Sequence, residues 1–142
     1  MAHRSFGVLV ALLIVPILAG CSSVGASPSA ANGGVTDLPG TSWTLVEIGG
    51  SAPAGDAKPT LVFGTDGTVT GNSGCNTFKG TVTIDGSTIE FGQLATTRMA
   101  CPAPAMIVES AYLAGLDGAS TWRMDGSQLV LEGATELRFD PV

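Results

Sequence analysis

Histidine is almost missing from this sequence. The chain of 142 residues contains one, His3, in an N-terminal segment that we predict is cleaved off. The mature protein would then contain no imidazole, which excludes a Ser-His-Asp or Cys-His nucleophile pair and an HExxH zinc helix. The composition therefore argues against most of the chemistry that depends on histidine.

Basic residues are also scarce. Six Lys and Arg stand against twelve Asp and Glu, and removal of Arg4 with the N-terminal segment would leave five. Nucleic-acid binding requires a basic patch, but the remaining basic residues are scattered along the chain: Lys58, Lys79, Arg98, Arg123 and Arg138. We expect no nucleic-acid partner, and the acidic balance disfavours electrostatic docking onto anionic lipid.

The chain has one long apolar run, the thirteen residues 6–18, which follow Arg4. A transmembrane helix needs about 20 residues, so this run is typical of a signal peptide. It leads into Leu18-Ala19-Gly20-Cys21, which resembles the bacterial lipobox. We predict cleavage before Cys21 and acylation of its thiol, which would anchor the chain on the extracytoplasmic side of the cell membrane. The alternative is an ordinary secretory signal with a cysteine at this place by chance.

The composition divides the chain into three segments: a signal peptide (1–20), a lipidated N-terminus with a flexible tether (21–39) and a folded domain (40–142). The tether consists of Ser, Ala, Gly, Val and Pro with few other residues, and such side chains bury too little surface to offset the entropy lost on ordering. About 18 residues of this kind have a typical reach near 25 Å.

Short β-type runs separated by turns fill most of the folded domain. Three Asp-Gly pairs lie between apolar runs, and Asp-Gly favours tight hairpin turns. We predict strands at 43–48, 60–63, 68–70, 78–84, 87–91, 122–124, 128–132 and 136–139. Alternation within these runs assigns one face to the core: Leu61, Phe63, Val82, Ile84, Ile89, Phe91, Leu129, Leu131, Leu137 and Phe139.

Residues 104–116 break this pattern, because Ala105, Val108, Tyr112 and Leu116 recur at helical spacing after Pro104, and Gly118 is suited to end a helix. We therefore predict an α+β fold. It would consist of a small curved antiparallel sheet, a meander forming a partly closed barrel, covered by one α-helix.

Four segments of the folded domain resemble the META domain, the family that includes the heat-shock lipoprotein HslJ. They are GTSWTL (40–45), VTGNSGCNTFKG (69–80), TTRMAC (96–101) followed by a helix with Glu109, and GSQLVL with LRF (126–131 and 137–139). The motif residues are Trp43, Gly74, Cys75, Asn76, Met99, Ala100, Cys101 and Glu109. The resemblance implies a small α+β unit with a curved antiparallel sheet and an association with envelope stress, drug tolerance or secretion. It implies no reaction.

The cysteines of the mature chain are Cys21, Cys75 and Cys101. If Cys21 is acylated, one pair remains in a compartment where disulfides persist, and a structural Cys75–Cys101 disulfide is the favoured interpretation. Two buried neighbouring thiols, a redox-active pair and a zinc site are the alternatives. The last two are disfavoured, since the chain has no CxxC motif and two cysteines cannot complete four zinc ligands.

Several polar and large residues allow both a functional and a structural interpretation. Residues 71–76 could cradle an anion with backbone N–H groups, but a turn with positive φ at its glycines is favoured. Glu109 could act as a general acid or base, but an ion pair with Arg98 or Arg123, or simple exposure, is favoured. Trp43 and Trp122 could stack a ligand, but their interpretation as core residues at strand starts is favoured. Met99 and Met106 are interpreted as core residues that fill gaps.

These features favour a non-catalytic envelope module, a monomer without cofactor or metal, that contacts the membrane through its lipid. Its partner would be an envelope protein or a small amphiphile. One alternative is a hydrolase acting on cell wall, with two carboxyl groups assembled by the fold. The other is an inhibitor of secreted proteases that presents a rigid loop held by the disulfide.

Overall fold

The structure, a computed structural model, describes residues 37–142. The predicted signal peptide, Cys21 and residues 22–36 of the predicted tether lie outside the described residues. In the described part, the elements follow in the order β1 (Ser42–Ile48), β2 (Thr60–Phe63), β3 (Thr68–Asn72), β4 (Thr77–Asp85), β5 (Thr88–Phe91), β6 (Ala95–Thr96), α1 (Ala103–Asp117), β7 (Ala119–Asp125), β8 (Gln128–Gly133) and β9 (Leu137–Pro141).

The strands form one antiparallel sheet that closes on itself. Its order is β3-β2-β1-β9-β8-β7-β5-β4, and pairing of β4 with β3 closes a barrel of eight strands. The nine-residue strand β4 makes this possible, because its first half pairs with β3 and its second half with β5. The predicted α+β fold is confirmed, with a fully closed barrel. The short strand β6, which pairs with the start of β4, was not predicted because two residues carry no readable alternation.

The predicted hairpins are present, but two of their turns fall one residue later than the Asp-Gly pairs suggested. Asp85 pairs with Thr88, so the β4–β5 loop consists of Gly86 and Ser87. The φ angle is +56° at Gly86 and +62° at Gly126, which occupies the same place between β7 and β8. Glycine adopts this left-handed conformation without steric cost, so Gly rather than Asp sets these turns.

Side chains fill the interior of the barrel. The predicted inward-facing residues are buried there, except that Ile84 is half-buried and packs against the core. Trp43, at 1% exposed, is one of the largest buried side chains. Leu38 is fully buried in the same core, although we predicted that the folded domain begins at residue 40. We assigned Leu38 to the tether because the residues before it are mostly small or polar.

Helix α1 packs across one mouth of the barrel. The Tyr112 ring makes edge contacts with Phe78 on β4 and with Phe139 on β9, two strands that lie opposite each other in the ring. Its hydroxyl donates a hydrogen bond to the carbonyl oxygen of Thr60 on β2 (3.0 Å). The helix begins after Pro102 and ends at Gly118, so the predicted helix and its end are confirmed.

The outer wall formed by β7, β8 and β9 carries a network of ion pairs. Val130 is buried on this wall, where its pairing neighbours are Arg123 and Arg138. The arginines contact several carboxylates: Arg123 with Asp125 and Glu132, and Arg138 with Glu47, Asp125 and Glu136. Exposed pairs of this kind contribute little to stability, but the carboxylates neutralise both arginines.

Among the described residues, no helix is both long enough and apolar enough to cross a membrane.

Candidate functional site

Three segments meet at the mouth of the barrel that α1 covers. The first is the loop after β3, the second is the stretch 97–101 between β6 and the helix, and the third is the first half of α1. They converge on Glu109, whose residue surface is 9% exposed. A carboxylate in this position requires hydrogen-bond donors, because burial removes its water.

Ser73 and Asn76 supply these donors. The Ser73 hydroxyl donates to Oε2 of Glu109 (2.5 Å), and the backbone N–H of Asn76 donates to the same oxygen (2.9 Å). The side-chain amide of Asn76 donates to Oε1 (3.0 Å). Both carboxylate oxygens therefore accept hydrogen bonds from the loop after β3. We call Ser73, Asn76 and Glu109 the Glu109 cluster.

Asn76 also connects this cluster to the second segment. Its Oδ1 accepts hydrogen bonds from the backbone N–H of Met99 (2.7 Å) and the Thr97 hydroxyl (2.9 Å). Its Nδ2 lies 3.3 Å from the Met99 carbonyl oxygen. One fully buried amide thus binds helix, loop and connecting segment together, which uses its whole hydrogen-bonding capacity.

A disulfide joins the same two segments covalently. Cys75 and Cys101 are bonded, with their Cα atoms 6.0 Å apart, an ordinary separation for a disulfide. The favoured interpretation of these cysteines is confirmed, and the two free thiols and the zinc site are excluded for this pair. Cys75 is buried, whereas Cys101 is half-buried and lies beside a surface groove.

The loop after β3 adopts the predicted turn, but its two glycines serve different purposes. Gly74 has φ +106° and its N–H donates to Oδ1 of Asn72 (2.7 Å), as in an Asx turn. Gly71 has no positive φ. It is required because a Cβ there would collide with the carbonyl oxygen of Thr60 and the Phe78 ring.

Two of the interpretations based on sequence are wrong. Glu109 forms no ion pair with Arg98 or Arg123 and is not exposed, because α1 turns it towards the Ser73 and Asn76 donors. Met99 is 59% exposed rather than buried in the core, since Asn76 fixes its backbone at the surface.

The aromatic and methionine predictions have mixed outcomes. Trp43 is a core residue, as predicted. Trp122 is half-buried against the core, and its indole N–H donates to the carbonyl oxygen of Gly86 (2.9 Å). Met106 is half-buried.

Seven of the eight motif residues are brought together by the fold. Gly74, Cys75, Asn76, Met99, Ala100, Cys101 and Glu109 all belong to the three converging segments, whereas Trp43 lies in the barrel core. Ser73 was missed, because a serine in a Gly/Asn-rich loop carries no signal of its own. Glu109 gave a weak signal: it follows Val108 and is three residues before Tyr112, on the apolar side of the helix.

A surface groove of about 450 Å³ lies beside the disulfide. It is lined by Ala54, Gly55, Asp56, Ala57, Gly74, Cys101, Pro102, Pro104 and Ala105. Asp56 is the single charged side chain in this lining. In the described residues no cluster of three or more His, Cys, Asp or Glu side chains could hold a metal ion. The groove therefore offers shape and apolar contact rather than a set of reactive groups.

The titration of Glu109 leads to a prediction about pH. Burial raises the pKa of Glu109, but the hydrogen bonds from Ser73 and Asn76 outweigh this and hold the pKa below its ordinary value of 4.5. A carboxyl whose pKa is lowered by folding stabilises the protein above its ordinary pKa, and this contribution is lost as the pH falls through the folded value. We expect the stability difference between the native protein and Glu109→Gln to be constant near neutral pH and to shrink below about pH 4.5.

Urea unfolding of both proteins between pH 7 and pH 3 measures this difference. The exposed Glu90 provides the control, since Glu90→Gln removes a carboxylate on the barrel wall. If the stability difference between the native protein and Glu109→Gln stays unchanged down to pH 3, Glu109 is not ionised in the native protein.

Comparisons with known proteins agree with this architecture. A structure determined by NMR for a protein from Burkholderia xenovorans is 31% identical, with a TM-score of 0.62, and the match covers 74% of this chain and 83% of that one. Another protein structure determined by NMR is 23% identical, with a TM-score of 0.61 and coverage of 72% and 90%. The crystal structure of a DUF4847 family protein from Bacteroides vulgatus is 18% identical, with a TM-score of 0.55 and coverage of 72% and 93%. These last two similarities establish the fold alone.

A search of curated proteins finds no match. The sequence profile of the META domain matches residues 36–141, which include both cysteine segments, the helix and every strand of the barrel. This chain therefore belongs to the META domain family.

Proposed function

We propose that this chain is a non-catalytic lipoprotein of the bacterial cell envelope. Its META domain serves as a binding or structural module, connected with stress, at the extracytoplasmic face of the membrane. The pairing of the cysteines carries this proposal. Cys75 and Cys101 bond to each other, so Cys21 is the one cysteine of the sequence left for acylation.

The disulfide also bears on location. Disulfides form and persist in oxidising compartments outside the cytosol. A domain in which such a bond joins two of the three converging segments suits the extracytoplasmic side of a membrane. This is the side to which the predicted signal peptide and lipobox would deliver it.

The environment of Glu109 favours a role without catalysis. A general acid or base must have an oxygen free to reach a substrate, but both oxygens of Glu109 already accept hydrogen bonds inside the fold. A cell-wall hydrolase would need two carboxyl groups about 5–10 Å apart across a cleft. The groove beside the disulfide has one acid, Asp56, in its lining.

The packing of the barrel limits where a partner can bind. Small barrels either fill their interior with side chains or enclose a ligand. The buried residues of this barrel occupy its interior, with Tyr112 of α1 closing one mouth. An envelope protein or a small amphiphile would therefore bind to the outer surface, where the groove beside the disulfide is a concave candidate site.

Acylation of Cys21 is the part of this proposal that can be tested most directly. We expect the mature protein from a bacterial envelope to begin at Cys21, to carry acyl chains by mass spectrometry and to incorporate a palmitate analogue. Cys21→Ala should abolish both the acyl mass and the label, because the thiol is the attachment point.

The matched control is the double variant Cys75→Ala/Cys101→Ala, which lacks the other two cysteines but keeps Cys21. It should be labelled like the native protein. A native mature protein without acyl mass, or a Cys21→Ala variant that is still labelled, would refute the lipid anchor.

A further inference from the structure

The surface next to the disulfide is unusually apolar. Residues 99–108 contain no charged side chain. Met99 is 59% exposed and Ile107 is 66% exposed. Between them, Pro102 and Pro104 are exposed as well. Ile107 lies one helical turn after Pro104, so the two share a face of α1. These exposed apolar side chains are grouped within nine residues of the chain, and such a group points to an interaction site.

This apolar surface is held rigidly. The Asn76 side chain contacts both the N–H and the carbonyl oxygen of Met99, and the disulfide holds Cys101. Glu109 fixes the helix to the same loop. A surface that is ordered before binding loses little entropy when it docks. The fold itself therefore holds Met99 and Ile107 at the surface.

Basic side chains border the same surface. Lys58 is exposed and follows the groove residue Ala57, and Arg98 is exposed and precedes Met99. The ion pairs among the described residues involve Arg123 and Arg138, on the outer wall formed by β7, β8 and β9. Carboxylates thus contact Arg123 and Arg138, whereas Lys58 and Arg98 form no ion pair with another described residue. The acidic balance of the whole chain disfavours docking onto anionic lipid, but the local combination of exposed apolar side chains with Lys58 and Arg98 suits the interface of an anionic membrane.

We propose that this surface docks onto an anionic phospholipid bilayer. We call it the docking surface and define it by Met99, Pro102, Pro104 and Ile107, with Lys58 and Arg98 at its border. The apolar side chains enter the boundary between headgroups and acyl chains, and the two basic residues contact lipid phosphates. The proposal rests on the proposed function, since a lipid on Cys21 keeps the bilayer within reach of the domain.

The length of chain before the domain allows this orientation. The N–H of Gly40 donates to the carbonyl oxygen of Phe63 (2.8 Å), at the end of β2 remote from the groove. Fifteen residues lie between Cys21 and Asp37, and the chain from one to the other spans at most about 55 Å when extended. A domain of this size is about 35 Å across. The segment is therefore long enough to let the docking surface reach the same bilayer that holds the lipid.

The expected contributions of the basic and apolar side chains to the affinity for the bilayer decide the design of the test. Each basic residue near an anionic surface strengthens binding roughly fivefold. The two exposed apolar side chains together contribute about tenfold or more when they leave water. Asp56 lies in the adjoining groove and opposes the phosphates, so Asp56→Asn should strengthen binding.

The test uses residues 22–142, which lack Cys21 and so carry no acyl chain. The solved relatives consist largely of this domain, 83% and 90% of their chains, and residues 38–139 hold the whole core described here. Sedimentation with vesicles of phosphatidylcholine containing phosphatidylglycerol should show binding that is much weaker on phosphatidylcholine alone. Met99→Ser/Ile107→Ser should reduce binding about tenfold or more, and Lys58→Gln/Arg98→Gln should reduce it and make it less dependent on salt.

The matched control for the apolar pair is Val62→Ser/Val142→Ser, which removes two other exposed apolar side chains away from the docking surface. It should bind like the native domain, and equal thermal unfolding of all variants shows that they are folded. Absence of binding to anionic vesicles, or binding that is the same in every variant, overturns the proposal. So does a photocrosslinker at position 107 that captures one protein instead of lipid in the intact envelope. Because this chain has no lipid, failure here leaves acylation of Cys21 to its own test.

Discussion

Glu109→Ala is expected to lower the free energy of unfolding by about 3–4 kcal/mol. The substitution removes the acceptor for the N–H of Asn76 and for its side-chain amide, both of which are buried. Hydrogen bonds to a charged group contribute about 1.5–3 kcal/mol each, and a buried donor left without a partner costs its full desolvation. The Ser73 hydroxyl suffers less, because the Asn76 carbonyl oxygen lies 2.8 Å away as a second acceptor.

Glu109→Gln should cost about half as much, because it keeps one oxygen acceptor and the shape of the side chain. Urea unfolding at pH 7 measures both variants, with Glu90→Ala as the control for loss of an exposed carboxylate. If the free energy of unfolding of Glu109→Ala is within about 1 kcal/mol of that of the native protein, the cluster does not stabilise the fold. The carboxylate would then be free for a chemical role, which would also weaken the proposed non-catalytic function.

Loss of the disulfide is the other change with a large expected effect. Cys75→Ala/Cys101→Ala should lower the free energy of unfolding by about 3.5 kcal/mol. The bond joins residues 26 apart, and closing a loop of that length removes entropy from the unfolded chain by about this amount. Small domains have a total stability of about 5–15 kcal/mol, so the variant would be marginal at elevated temperature.

Reduction provides an independent measurement of the same bond. The native domain should lose a similar amount of stability in the presence of a reductant, whereas the double variant should unfold identically with and without it. Complete reduction, verified by the mass of alkylated protein, with no loss of stability would contradict a stabilising role for the disulfide. The disulfide and the Glu109 cluster share one loop. We therefore expect that removing both lowers the free energy of unfolding by an amount that differs from the sum of the two separate decreases.

Local patterns in the sequence determined most of the barrel. Alternation in 60–63, 87–91 and 128–132 identified inward-facing side chains, because successive residues of a strand point to opposite faces of the sheet. Helical spacing from Val108 to Leu116 identified α1 in the same way. Strand β6 was not predicted because two residues are too few to show the alternation of inward-facing and outward-facing side chains. Closure of the barrel was not predicted because it depends on β4 pairing with β3 through its first half and with β5 through its second half, which the pattern of a single strand does not reveal.

The candidate site depended on contacts between distant parts of the chain. Glu109 is 36 residues from Ser73 in the sequence, and nothing near Glu109 indicates that its acceptor oxygens meet donors rather than water. The apolar side chain of Met99 predicts a core position, yet the hydrogen bonds of Asn76 hold its backbone at the surface.

The sequence by itself determined the predicted export signal and Cys21, the strand and helix periods, the scarcity of histidine and the spacing of Cys75 and Cys101. All of these depend on neighbouring residues or on counting. Only the tertiary structure decided which charged side chains form ion pairs and which apolar side chains stay exposed. Burial and charge pairing depend on distances in space, and a closed barrel brings together residues that the sequence keeps far apart.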